Sequence, residues 1–257
     1  MNKKIFKNNL INNKVIVLLF FISLLYVFSL SKLPEKLTFS DMALTILYGV
    51  NNCYSTSIIE IIRWSAPYII IVYFVGQYIE CTLTQKNSLI WLIRSNSYTN
   101  WFWKISNNII LIILIYLISY FIFTCILSVI FSGDFSKTSA FFKQNNIYMS
   151  KESISQVYII IQFLLSLTTL VLISLIQVLI AIYFNNSTSS TIFSIFAIAI
   201  LGILSKFNTI NPIMLSKNNI IDNRLEVYPS MFIIINILLI SSIYVLLLTK
   251  IRNIIRR

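Results

Sequence analysis

Residues Ile105–Phe131 read ISNNIILIILIYLISYFIFTCILSVIF, twenty-seven positions without a charged side chain. At about 1.5 Å per residue, a helix of that length exceeds the ~30 Å of a bilayer's hydrocarbon. The run is too long for a strand and lacks two-residue alternation. An isolated strand could not satisfy its backbone in lipid. The stretch therefore predicts a membrane-crossing helix. Five more runs resemble it: Val15–Leu30; Pro67–Leu83, entering from Ile58; Val157–Phe184; the short Thr191–Ser205; and Ser230–Thr249. The expected fold is all-α: one polytopic helical domain over 1–257. Its six transmembrane helices lie near 15–30, 58–83, 105–131, 157–184, 191–205 and 230–249. The first run also has the basic lead-in and the small-x-small triplet Ser29-Leu30-Ser31 of a signal peptide. It is read as span one.

Composition points the same way. Hydrophobic residues make up 58% of the chain and charged residues 11%. Soluble domains carry about a quarter charged residues, and one soluble core does not grow to hide this much apolar surface. Abundant Ile, Asn and Lys fit the AT-rich coding of a low-GC bacterium. The net charge of +12 flanks apolar runs, which suits lipid headgroups and membrane orientation and gives no reason to expect nucleic acid.

Orientation follows from where the cations fall. With six spans, one side holds Lys3, Lys4, Lys7, Lys14, Lys86, Arg94, Lys104, Lys250, Arg252, Arg256 and Arg257, with Glu80 as its single acid. The other side holds nine cations and seven acids. Both tails are basic clusters, and they agree only if the span count is even. The positive-inside rule then places both termini in the cytoplasm of a bacterial cell membrane. Residues 1–14 mix Ile5, Phe6, Leu10 and Ile11 with Lys and Asn, so they read equally as an interfacial amphipathic helix or a disordered tail.

Much chemistry is missing. The chain has no histidine, which removes HExxH zinc sites, Ser-His-Asp triads and histidine proton relays. The four glycines, Gly49, Gly76, Gly133 and Gly202, lie too far apart for GxGxxG or a P-loop. Cys53, Cys81 and Cys125 form no CxxC pair and read as small apolar residues. No catalytic residue, metal site or cofactor is expected in this chain, and an intramembrane enzyme is nearly closed. The mid-span polar residues are Gln162, Gln177, Thr168, Thr169 and Asn236. Interhelical hydrogen bonding is the first reading for them. Lining a polar path, through Gln162, Gln177 and Asn236, is the second. A proton- or sodium-driven mechanism would want ionisable groups at that depth. Transport by this chain would need an outside energy source.

The most informative segment joins spans two and three, from Gly76 to Lys104. It contains a short apolar patch, Leu89, Ile90, Trp91, Leu92 and Ile93, too short to span, and three of the four tryptophans: Trp91, Trp101 and Trp103. An aromatic belt at headgroup level explains Trp101 and Trp103. In pattern the segment resembles the one joining spans two and three in ABC-2 type permeases, the membrane subunits of one class of ABC exporter. Glu80, Thr82, Leu89, Leu92, Arg94, Ser95, Ser97 and Lys104 stand where that family has a glutamate, a turn, a coupling helix and the start of span three. The likeness covers architecture over the whole chain and sequence pattern over about thirty residues.

The resemblance implies a cytoplasmic coupling helix carrying Leu89, Ile90, Trp91, Leu92, Arg94 and Ser95, gripped by separate ABC ATPase subunits that bind ATP and Mg. It implies Glu80 as an interface carboxylate, which otherwise reads as a snorkelling acid. It also implies a second permease copy, or a related permease, completing the path across the bilayer. An uncharged path suits an amphipathic or hydrophobic cargo such as an antimicrobial peptide, in bacteriocin export or self-immunity. The competing expectation is a non-transporting immunity or assembly protein that binds a toxin or partner.

Overall fold

A computed structural model describes residues 13–31, 58–84, 98–132, 154–184, 186–205 and 228–255. The expected interfacial helix falls almost wholly outside these residues, as do the coupling residues Leu89, Ile90, Trp91, Leu92, Arg94 and Ser95. The described chain is all-α, with six long helices. They are α1 (Asn13–Ser31), α2 (Ile58–Ile79), α3 (Tyr98–Ser132), α4 (Ile154–Phe184), α5 (Ser187–Ser205) and α6 (Tyr228–Ile255). A π-helical turn, Glu80–Thr84, extends α2. Helices suit these Ile- and Leu-rich runs because a helix closes its backbone hydrogen bonds internally. Among the described residues, α3 and α4 contain stretches long and apolar enough to cross a membrane, Asn100–Phe131 and Phe163–Phe184.

Boundaries differ from the sequence reading where polar or aromatic residues extend a helix past its apolar run. Helix α3 starts seven residues before Ile105. The reason is packing: Phe102 is buried, and Phe102 and Trp103 lie with ring centroids 5.0 and 5.2 Å from that of Tyr244 on α6. Helix α5 starts four residues before Thr191. Asn186 caps it, its Oδ1 accepting from the amides of Thr188 (3.0 Å) and Ser189 (3.2 Å). Helix α6 continues past Lys250, where hydropathy ends and helix propensity does not.

Cross-helix contacts fix direction. Phe20 meets Phe123 and Phe28 meets Phe131. Both partners advance by eight residues, so α1 and α3 run parallel. Tyr68 faces Tyr120, Phe74 faces Tyr116, and Tyr78 bonds Asn108. Here one number rises as the other falls, so α2 runs antiparallel to α3. The C-terminal half of α6 meets the first turns of α3 through Tyr244. One end of the bundle therefore carries the start of α1, the end of α2 with Glu80, the start of α3 with Lys104, and the C-terminal end of α6.

The distribution of polarity is inverted relative to a soluble bundle. On α3 the outward row is Ile110, Leu114, Ile118, Ile122, Ile126 and Ile130, each four residues from the last. On α1 it is Val17, Leu18, Phe21, Leu25 and Phe28. The interior packs Ile71, Val75, Ile109, Ile113, Leu117, Leu170 and Ile198, together with buried Ser23, Ser106, Thr124, Ser166, Thr169, Ser174, Gln177 and Asn236. Contiguous apolar surface on this scale needs a cover other than water.

Candidate functional site

Polar side chains inside the bundle gather at two levels. The first lies near the end that carries Glu80 and Lys104. Gly76 of α2 faces α5 so closely that an added Cβ would overlap the Thr191 hydroxyl and stand 2.7 Å from Gln177 Nε2. Only glycine lets the two backbones approach this far. Gln177 of α4 is fully buried. Its Nε2 donates to Thr191 Oγ1 at 3.1 Å, and Thr191 in turn donates to the Ser187 carbonyl at 3.0 Å. Three helices thus meet at one amide. At a similar depth Asn108 of α3 donates to Tyr78 OH of α2 at 2.9 Å. One turn on, Thr82 closes α2 by donating to the carbonyls of Tyr78 (2.8 Å) and Ile79 (3.1 Å). Glu80 opens the π-helical turn with an exposed side chain.

The second level joins α4 to α6. Asn236, 3% exposed, sends its Nδ2 to Thr168 Oγ1 (3.2 Å) and Thr169 Oγ1 (3.0 Å). Most of the described side chains of α6 face outward, including Ile234, Ile237, Leu238, Val245 and Leu246. The Asn236 amide is therefore a main directional tie between α6 and the bundle. Asn236→Leu keeps the volume and removes both bonds. Interhelical bonds of this kind average ~0.6 kcal/mol and reach ~1.7 kcal/mol. The variant is expected to lose about 1–2 kcal/mol, read as a lower SDS midpoint in refolding assays. An unchanged midpoint would show that apolar packing alone holds α6.

Two of the three sequence-picked polar residues, Gln177 and Asn236, thus sit inside the bundle as bridges between helices, at different depths. Gln162 lies on α4 two turns before Thr169, and its side chain is outside the described residues. The structure adds Gly76, Thr191, Tyr78 and Asn108 to the polar framework. Gly76 carried a readable signal, as a lone glycine inside an apolar helical run. Asn108 and Tyr78 carried none, because pairing across thirty residues is a tertiary fact.

Chemically, the buried polar side chains described are Ser, Thr, Gln and Asn, with tyrosines such as Tyr78 and Tyr120 among them. Such groups bind by hydrogen bonding. Among the described residues, no three of His, Cys, Asp and Glu come together in a way that could hold a metal ion. The described cysteines, Cys81 and Cys125, are free thiols. No protein-family model matches the chain, and neither a curated protein nor a solved structure matches it.

Proposed function

We propose that the chain is a six-span permease subunit of a bacterial ATP-driven exporter, its path serving an amphipathic or hydrophobic passenger such as an antimicrobial peptide. One observation carries the reading. The end of α2 at Glu80–Thr84 and the start of α3 at Tyr98 lie at the same end of the bundle as the start of α1 and the C-terminal end of α6. The segment 85–97 therefore joins two helix ends on the side where both basic tails leave the bundle. Lys14 and Lys104, at the same end of the bundle, suit the cytoplasmic face. The inverted distribution of polarity supports lipid as the cover for the outer rows of α1, α3 and α6.

Work must then come from a partner. The sequence carries no nucleotide-binding motif, and the buried polar side chains described are uncharged, which supports an energy source outside this chain. Separate ATPase subunits would pull on the 85–97 segment. Closure of the nucleotide sites would then tilt α2 and α3, which both extend from that segment toward the other end of the bundle. The bridge at Gly76, Gln177 and Thr191 would pass the movement to α4 and α5. A second permease copy or a related chain would complete the path.

Two measurements test this. The chain, purified from its native membrane in mild detergent, is expected to bring down a P-loop ATPase and to stimulate its ATP turnover after reconstitution. Isolation without any nucleotide-binding partner would sink the exporter reading. In a cysteine-free background, a cysteine at Lys143 is expected to react with an impermeant thiol reagent applied outside, and one at Asn96 to stay unlabelled. The reverse pattern would put the docking patch on the wrong side.

A further inference from the structure

The Gln177 amide is only half used. Thr191 spends its proton on the Ser187 carbonyl, so toward Gln177 its hydroxyl can only accept. That fixes the amide with Nε2 toward Thr191 and Oε1 turned away. Gln177 Oε1 is buried and has no hydrogen-bond partner, and neither has Ser174 Oγ. Ser174 and Gln177 stand three residues apart on α4, hence on adjoining positions of one side. Both side chains are fully buried.

The hydroxyls of α5 do not relieve them. Ser190 donates to the Ser187 carbonyl at 2.7 Å and Ser194 to the Ser190 carbonyl at 3.0 Å. With Thr191, these three hydroxyls of α5 have each spent their proton on their own helix. Gln177 Oε1 thus has no donor among the described residues, and a donor from outside the protein would satisfy it. Leaving a buried acceptor unmade costs its full desolvation, and two such oxygens one turn apart make the polar niche in which buried water is found.

We propose that Gln177 Oε1 and Ser174 Oγ hold an internal water at the α2–α4–α5 junction. The water donates to Gln177 Oε1 and exchanges a hydrogen bond with Ser174 Oγ. The site goes beyond the exporter reading and does not depend on it. Its position beside Gly76 places the water where α2 and α5 approach closely.

A double-mutant cycle in nanodiscs tests the site, using Ser174→Ala, Gln177→Met and the pair. With a bridging water, Ser174→Ala lowers the apparent melting temperature by about 2–4 °C. The double variant then loses less than the sum of the single losses, because either change alone already releases the water. A structure at water-resolving resolution is expected to show a peak about 2.6–3.2 Å from Gln177 Oε1. Unchanged melting in Ser174→Ala, strictly additive losses, or no density beside Gln177 Oε1 would each overturn the site.

Discussion

Gly76→Val is expected to lower the apparent melting temperature in nanodiscs by roughly 6–12 °C, from about 3 kcal/mol of overpacking. On an exposed helix the opposite sign would be expected for a small substitution: Gly→Ala gains about 1 kcal/mol of helix propensity. Here the first added carbon already meets Thr191 Oγ1, Thr191 Cγ2 at 2.9 Å and Gln177 Nε2 at 2.7 Å. Thr191 cannot yield cheaply, because its hydroxyl is tied both to the Ser187 carbonyl and to Gln177. Either α2 moves away from α5, or the Gln177–Thr191 bond breaks to make room. Thr191→Ala removes both threonine atoms that crowd Gly76, so Gly76→Ala/Thr191→Ala is expected to recover part of the loss seen in Gly76→Ala. Melting of Gly76→Val at the wild-type temperature would mean that α2 and α5 do not approach as described.

On the proposed exporter reading, Leu89→Asp/Leu92→Asp is expected to abolish capture of an ATPase partner while leaving the chain inserted and folded. The two leucines lie in the apolar patch between α2 and α3, outside the six helices and outside the described residues. A buried carboxylate without a partner costs several kcal/mol, and anchor residues at interfaces are commonly worth ~2 kcal/mol or more. Two together amount to about 4 kcal/mol or more, roughly a thousandfold in affinity. The readout is co-purified ATPase and stimulated ATP turnover, with the melting temperature as the control for folding. If the variant keeps the ATPase and its stimulation, coupling does not pass through this patch.

The fold class was legible because apolar run length is a one-dimensional quantity. Val15–Leu30 and Val157–Phe184 each announced a helix within three residues of its observed bounds. The errors came where something other than hydropathy sets the end: aromatic packing at Phe102 and Trp103, and the Asn186 cap on α5. The polar framework was only half legible. Gln177 and Asn236 stood out as amides in apolar runs. Thr168 and Thr169 stood out with them, but Thr191 and the Tyr78–Asn108 pair could not be chosen from many similar hydroxyls and amides.

By itself, the sequence determined that this chain folds as helices, and where each begins and ends to within a turn or two. A long uncharged run has one economical way to satisfy its own backbone, whatever it packs against. Tertiary structure alone decided which helices are neighbours and how they point: α1 parallel to α3, α2 antiparallel to it, and α2 pressed on α5 at Gly76. Those choices depend on side-chain shape and on single hydrogen bonds between distant residues, which compete among many nearly equal apolar faces. Only the packed bundle selects among them.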